Sequence, residues 1–160
     1  MIAELEEVIG VGRTVPLGTY TFEADGIKRF ARLYDPQPFH LDEEAARSSV
    51  LGGLCASGWH VCSVWMKLNV ARMAADLAAA LAEGRPYADY GPSPGLRNVT
   101  WKKPAYAGDT LSYFTRPLAV RERHKGDGYH LMTLEAWAEK GDGEQVTHFN
   151  SAALVRLARP

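Results

Sequence analysis

The segment Leu33-Tyr34-Asp35-Pro36-Gln37-Pro38-Phe39-His40-Leu41-Asp42 decides how the fold of this chain is assigned. It places the carboxylate of Asp35 five residues before the imidazole of His40, with two prolines between them. Each proline fixes its own φ at about −65° and biases the preceding residue away from helix. We therefore expect Asp35 and His40 to lie on a loop of restricted shape. Such a loop holds an acid/base pair in the set geometry that proton transfer requires.

Two further segments accompany the first one. They are Leu51-Gly52-Gly53-Leu54-Cys55-Ala56-Ser57-Gly58-Trp59 and Pro104-Ala105-Tyr106-Ala107-Gly108-Asp109-Thr110-Leu111. In this order the three segments resemble the MaoC-like dehydratases and (R)-specific enoyl-CoA hydratases, and the resemblance covers nearly the whole chain. The active-site segment of that family is close to Asp-x-Asn-Pro-x-His-x-Asp, and its fold is the hot-dog fold. The matching positions here are Asp35, Pro38, His40 and Asp42. Gln37 stands where the asparagine usually is.

Hydrophobic spacing predicts three helices. Apolar residues at i, i+3, i+4 and i+7 indicate a short helix with one buried face, which Pro36 ends. The residues with this spacing are Ile27, Phe30, Ala31 and Tyr34. Asp42 is a good N-cap for a second short helix through Arg47. The longest helical signal runs from about Ser57 to Glu83. Its first half is apolar nearly all round, which predicts a buried helix, and its alanine-rich continuation over 73–81 is expected to be a separate, more exposed piece.

Strand signals precede and follow these helices. A first strand is predicted over 13–15 and 19–22, broken by Pro16 and Gly18. The segment 85–95 is rich in proline and glycine and is predicted to be a loop that shapes an acyl-chain pocket. Four β-rich runs then occupy Leu96 to Lys103, Thr110 to Arg121, Tyr129 to Glu139 and Gln145 to Leu157, with Gly-Asp-Gly hairpin signals at 126–128 and 141–143. A buried helix followed by an antiparallel meander is an α+β layout, with the sheet wrapped around a central helix. This layout agrees with the hot-dog fold that the resemblance implies.

Composition is typical of one globular domain, here residues 1–160. The apolar fraction is 46%, the charged fraction is 23% and the net charge is −1. No basic field therefore indicates nucleic acid or an anionic membrane as a partner. The acidic start, Met1 to Glu7, lacks the features of a secretory signal, and no apolar stretch approaches the ~20 residues of a membrane span. We expect a cytoplasmic protein.

Other site chemistries fit the sequence less well. Cys55 and Cys62 lie seven residues apart, about 10 Å along a helix, which is too far for a disulfide. We interpret them as small buried side chains rather than thiol nucleophiles. A serine-hydrolase elbow would need glycine at positions 55 and 59, flanking Ser57, and neither is glycine. The residues His40, Asp42 and His60 lack a metal-ligand spacing, so no metal is expected.

The resemblance implies reversible addition of water across the double bond of a trans-2-enoyl thioester. We assign Asp35 as general base and His40 as its partner and proton donor, although the residues alone leave that order open. A structural alternative is also open, in which Asp35 caps or turns the chain and His40 hydrogen-bonds the backbone.

The start of the central helix is the predicted oxyanion site. Negative charge grows on the thioester oxygen in this reaction, and a helix N-terminus offers N–H donors with a favourable dipole. In the hydratases a glycine amide is the oxyanion donor, and Gly58 matches it in order and spacing. The alternative is that Gly58 merely permits a tight turn. Ser57 is a further candidate at the substrate, where it would orient the loop.

These observations lead to one prediction with two alternatives. We predict a hot-dog acyl-thioester hydratase/dehydratase that carries Asp35, His40 and Gly58 as catalytic residues. Coenzyme A or acyl carrier protein would enter as part of the substrate, with no separate cofactor, and the chain would form a homodimer or a multiple of one. A hot-dog thioesterase and a non-catalytic acyl-thioester-binding subunit remain the alternatives.

Overall fold

The computed structural model describes residues 2–123 and 126–160, so Met1, His124 and Lys125 of the predicted 1–160 domain lie outside the described residues. Helices in these ranges are α1 (Ile2–Ile9), α2 (Ala24–Tyr34), α3 (Pro38–Leu41), α4 (Glu43–Arg47) and α5 (Gly58–Ala82). Strands are β1 (Val15–Thr21), β2 (Tyr87–Tyr90), β3 (Gly95–Trp101), β4 (Thr110–Arg121), β5 (His130–Glu139) and β6 (Gln145–Ala158). The predicted α+β class is confirmed.

The six strands form one antiparallel sheet wrapped around α5. Its order is β1-β4-β5-β6, and β2 and β3 both pair with β6. Strand β2 pairs with residues 155–158 of β6, and β3 pairs with residues 147–152. Because α5 packs against β1, β2, β4, β5 and β6, the sheet must curl around the helix rather than lie flat beside it.

The core lies between the concave face of the sheet and the first half of α5. Tyr113 and Phe149 of the sheet are fully buried, as are Val61 and Trp65 of the helix to within 3%. The Tyr113 hydroxyl donates to the Val61 carbonyl oxygen at 3.3 Å, and Trp65 meets Phe149 edge-on with ring centroids 5.0 Å apart. Full burial of a large apolar side chain stabilises a fold by about 1.5–3 kcal/mol. These contacts therefore hold the start of α5 in place.

The helix α5 begins and ends where the sequence predicts, with Ser57 and Glu83 as its caps. The expectation that its second half is a separate piece is wrong, because the helix continues without a break to Ala82. That half is exposed, as predicted. Four apolar side chains of α5 remain 39–52% exposed, namely Met66, Val70, Leu77 and Leu81.

The structure adds one helix to the prediction and corrects three local predictions. Helix α1 was not predicted, and it buries only Leu5 completely. Strand β1 is continuous through its proline and glycine, with an irregularity between Pro16 and Gly18 that absorbs both. The predicted loop over 85–95 contains β2. In α2, Ile27 and Ala31 are fully buried, but Tyr34 is 71% exposed and does not belong to the buried face.

A turn that contains Gly108 and Asp109 begins the meander. Gly108 has φ +92° and leads into β4, and the Asp109 carboxylate accepts a hydrogen bond from the Tyr106 N–H at 2.8 Å. Within the described residues, no helix combines the length and apolar character that crossing a membrane requires.

Candidate active site

The turn between α2 and α3 brings the Asp35 carboxylate next to the His40 imidazole. Asp35 follows the last residue of α2, and its N–H donates to the Ala31 carbonyl oxygen at 2.9 Å. Pro36 cannot continue the helix, and Pro38 begins α3 at a position that suits proline. His40 therefore lies on a single helical turn, which corrects the prediction that both residues lie on a loop.

A backbone contact fixes which nitrogen of His40 faces the carboxylate. His40 is 6% exposed, and its Nδ1 lies 2.7 Å from the carbonyl oxygen of Cys55. A carbonyl oxygen only accepts hydrogen bonds, so Nδ1 carries the hydrogen and the neutral ring has its lone pair on Nε2. Nε2 lies 3.5 Å from Asp35 Oδ2. His40 thus bonds the backbone, as the structural alternative requires, and also pairs with Asp35.

When the His40 ring is neutral, neither its Nε2 nor the Asp35 carboxylate has a hydrogen to donate. A carboxylate oxygen and an unprotonated Nε2 are both acceptors, so they make no direct hydrogen bond with each other. A proton on Nε2 converts the contact into an ion pair, and a water molecule that donates to both atoms satisfies them equally. The pair is therefore built to share one proton or one water.

Gln37, which replaces the asparagine of the family segment, contacts the general-base candidate directly. Its Nε2 donates to Asp35 Oδ1 at 2.7 Å. Burial alone would raise the pKa of Asp35, but hydrogen bonds from Ser57 and Gln37, together with the nearby His40, lower it below its usual value. The carboxylate is therefore ionised at neutral pH, with Oδ1 held by Gln37 and Oδ2 directed to His40.

The start of α5 adjoins this pair through Ser57. Ser57 is 1% exposed, and its hydroxyl accepts a hydrogen bond from the Trp59 N–H at 3.3 Å, so it is the N-cap of the helix. Gly58 is the first helical residue, and no acceptor for its N–H is found among residues 2–123 and 126–160. Unpaired N–H groups at the start of a 25-residue helix carry the positive end of its dipole. This is the geometry that an anionic oxygen requires.

A tight turn is not the reason for glycine at position 58. Gly58 has a helical backbone that any residue adopts, and its φ is not positive. A methyl group on its Cα would instead lie 2.5 Å from Cδ2 and Nε1 of Trp101, and closer still to Cε2. Contact with the Trp101 indole therefore requires glycine at this position.

The remaining sequence candidates have structural roles. Burial raises the pKa of Cys55 to about 11 and also raises that of Cys62, so both stay thiols at neutral pH and both are free. The Asp42 carboxylate accepts a hydrogen bond from the Ala45 N–H at 2.8 Å and caps α4, as predicted. His60 stacks on Phe30 with ring centroids 4.5 Å apart. In the part of the chain that the structure describes, no three metal-ligating side chains come together.

An apolar cavity of about 240 Å³ lies between α5 and the sheet. Its lining includes Trp65, Met66, Asn69, Leu134 and Ala153. Tyr90, Gly91 and Ser93 also line it, so the 85–95 segment contributes to a pocket, though as part of a strand and the turn after it. No sequence motif marks this cavity, because its residues come from five separate parts of the chain.

Comparisons with known proteins agree with this architecture. The profile of the MaoC like domain matches residues 9–125. The crystal structure of a MaoC-like dehydratase from Rhodospirillum rubrum superposes with a TM-score of 0.72 at 33% identity, covering 94% of each chain. An (R)-hydratase from A. caviae, involved in PHA biosynthesis, superposes with a TM-score of 0.61 at 21% identity and covers 92% of this chain and 96% of that one. The uncharacterised Bacillus subtilis (strain 168) protein YdeM is 25% identical over 149 residues, which are 93% of this chain and 95% of YdeM. These likenesses confirm the predicted hot-dog fold.

Proposed function

This chain belongs to the MaoC-like domain family, and on that premise we propose that it hydrates trans-2-enoyl thioesters reversibly to (3R)-3-hydroxyacyl thioesters. The observation that carries the proposal is the Asp35–His40 pair, with Nδ1 of His40 committed to the Cys55 carbonyl and Nε2 directed at Asp35 Oδ2. Two proton-carrying groups that share one water are what addition of water to a double bond requires.

In the proposed reaction the site starts with the Asp35 carboxylate and the His40 imidazolium. Asp35 Oδ2 accepts a proton from a water molecule while the water oxygen forms a bond to Cβ of the enoyl group. The Cα=Cβ double bond opens toward the thioester, and Nε2–H of His40 delivers a proton to Cα. The site is left with a carboxylic acid and a neutral imidazole 3.5 Å apart. Transfer of the proton from Asp35 to Nε2 restores the starting state, so Asp35 is base and His40 is donor.

Gly58 is the proposed oxyanion donor. Charge accumulates on the thioester oxygen as Cβ is attacked, and a fixed N–H directed at that oxygen lowers the barrier by about 3–4 kcal/mol. The proposal is supported by the unpaired N–H of Gly58 at the helix start and by the contact that links Ser57 to Asp35. Ser57 is the proposed orienting residue, because its hydroxyl caps the helix N-terminus and its side chain helps to lower the pKa of the general base.

The apolar cavity is the proposed site of the acyl chain. Trp65, on its wall, lies seven residues beyond Gly58, which is about 10 Å along the helix. Pockets for drug-sized ligands measure about 300–1,000 Å³, so about 240 Å³ suits a short or medium acyl chain. Coenzyme A or acyl carrier protein carries that chain, and no further cofactor takes part in the proposed reaction.

We also propose one domain over residues 1–160 that acts as a homodimer or a multiple of one. Strand β3 pairs with β6 alone among the described strands, so its other edge is free. Free edges and exposed apolar helix faces are normally covered in native proteins. The edge of β3 and the exposed apolar side chains of α5 are the surfaces that a second copy would cover.

The test is incubation with short and medium trans-2-enoyl-CoA, with loss of enoyl absorbance and release of free thiol followed separately. A hydratase removes the enoyl absorbance and releases no thiol. Release of thiol without prior hydration would identify the thioesterase alternative. Binding with neither change would identify a non-catalytic acyl-thioester-binding subunit.

A further inference from the structure

Trp101 covers the backbone of the proposed oxyanion donor. The position that a Cβ of Gly58 would take is occupied by the indole of Trp101, with Cδ2 and Nε1 only 2.5 Å from it. Trp101 lies 42 positions after Trp59 in the chain, so no local motif relates it to Ser57-Gly58-Trp59. Trp101 is 47% exposed, which means that one part of the ring faces solvent while another part lies on the helix start.

The indole is held from three sides. Trp101 is the last residue of β3 and pairs in register with Thr147 of β6, and the next residue, Lys102, donates its N–H to the Val146 carbonyl oxygen at 2.8 Å. Trp59 meets the indole edge-on, with ring centroids 5.1 Å apart and planes at 77°. Trp101 also offsets part of the burial-driven rise in the pKa of the Cys62 thiol, so this residue, one turn into α5, lies near the indole. Strand pairing and two helix residues therefore hold the indole over the start of α5.

We propose that Trp101 is a positioning residue for the oxyanion donor, which it holds in place and shields from water on the side where a Cβ would stand. This inference rests on the proposed function, because it assigns Trp101 to the same reaction. A hydrogen bond to a developing anion is stronger where the local dielectric is low, and a preformed donor has no reorganisation to undergo. An indole against the Ser57–Gly58 peptide supplies both conditions. Position 58 must then be glycine, because any larger residue would displace the Trp101 indole from the helix start.

The steric part of the proposal is tested by a double-mutant cycle of melting temperatures, called here the melting cycle, which requires no enzyme activity. The proteins are wild type, Gly58→Ala, Trp101→Ala and the double variant. Glycine to alanine in a helix is ordinarily stabilising. We expect Gly58→Ala to lower Tm when Trp101 is present, and to leave Tm unchanged or raise it in the Trp101→Ala background. An equal loss of Tm in both backgrounds would overturn the contact and the proposal with it.

The catalytic part is tested on an enoyl-CoA that the wild type hydrates. Trp101→Ala is expected to lower kcat about tenfold or more while KM stays within about threefold, because the shielding acts on charge that exists only in the transition state. Trp101→Phe restores an aromatic face and should recover most of kcat. Trp137→Ala is the matched control, since that indole stacks on Phe114 in the sheet and does not touch the helix start.

Failure of the positioning role of Trp101 and failure of the proposed function give different results. If Trp101→Ala keeps the wild-type kcat while the four Tm values behave as expected, Trp101 only packs against Gly58, and the positioning role is overturned. Equal losses of kcat in Trp101→Ala and Trp137→Ala would overturn it as well. If the wild type hydrates no enoyl thioester, the proposed function fails and the positioning role falls with it, while the melting cycle still reports on the contact between Trp101 and Gly58.

Discussion

His60 should make this protein sensitive to acid, and the effect is isolated by the variant His60→Leu. The imidazole is 7% exposed, stacked on Phe30 and edge-on to Phe22 at 5.1 Å, and its Nδ1 has no hydrogen-bond partner in the described part of the chain. Burial, with a further contribution from the charge of Arg29, lowers the pKa of His60 from 6.5 to about 4. The folded protein therefore keeps this ring neutral at a pH where the unfolded chain protonates it.

The difference between the folded and unfolded pKa of His60 gives both the sign and the size of the change in stability. Because the unfolded chain binds the proton more tightly, stability is fully present above the unfolded pKa of 6.5 and is lost as pH falls toward 4. Linkage gives a loss of about 2 kcal/mol between pH 8 and pH 5 from this residue alone. His60→Leu has no such group, so its free energy of unfolding should fall by about 2 kcal/mol less over the same interval.

Urea unfolding of both proteins at pH 8 and pH 5 measures this difference directly. Every other titrating group is common to the two proteins, so the comparison cancels their contributions. Parallel losses of stability in wild type and His60→Leu would refute the burial argument for His60, whatever the absolute stabilities are.

Three further predictions concern the proposed site and its assembly. Gln37→Leu removes a hydrogen bond that lowers the pKa of Asp35, so the acid limb of the kcat–pH profile should move to higher pH; an unmoved limb, or the same shift in Gln37→Asn, would argue against this role of Gln37. The product of hydration should be the (3R) epimer, as the family resemblance implies, and a stereospecific dehydrogenase assay that finds (3S) would reject the assignment. Light scattering at micromolar concentration should give a dimer or a multiple of one, and a stable monomer would count against β3 and α5 as an interface.

The parts of the fold that sequence periodicity predicts are those with long, regular burial. The ends of helix α5 and of the strands β4, β5 and β6 are each predicted to within about two residues, because the apolar spacing in these elements persists over ten residues or more. Short elements lack that signal. Helix α1 buries one residue completely, and β2 spans four residues between a proline and a glycine, so neither has a readable period.

The proposed site also contains residues that local sequence motifs indicate and contacts that come from distant parts of the chain. Asp35, His40, Ser57 and Gly58 were found because they lie in short ordered motifs. The groups that define their chemistry are not in those motifs. The carbonyl of Cys55 that fixes the tautomer of His40 is a backbone atom 15 residues away, and the Trp101 indole that requires glycine at position 58 arrives from another strand. Backbone acceptors and long-range contacts have no residue signature, so only the folded chain reveals them.

The most direct measurement of the central claim compares wild type with Asp35→Asn on a short trans-2-enoyl-CoA. The substitution keeps the size of the side chain and removes its capacity to accept a proton. We expect wild type to consume the enoyl absorbance without releasing thiol, and Asp35→Asn to lower kcat by a factor on the order of 10²–10⁴, with Tm and acyl-CoA affinity little changed. The Glu135→Gln variant, altered at a carboxylate on the sheet that pairs with Arg116, should keep wild-type kcat. Full hydration activity in Asp35→Asn would contradict the account.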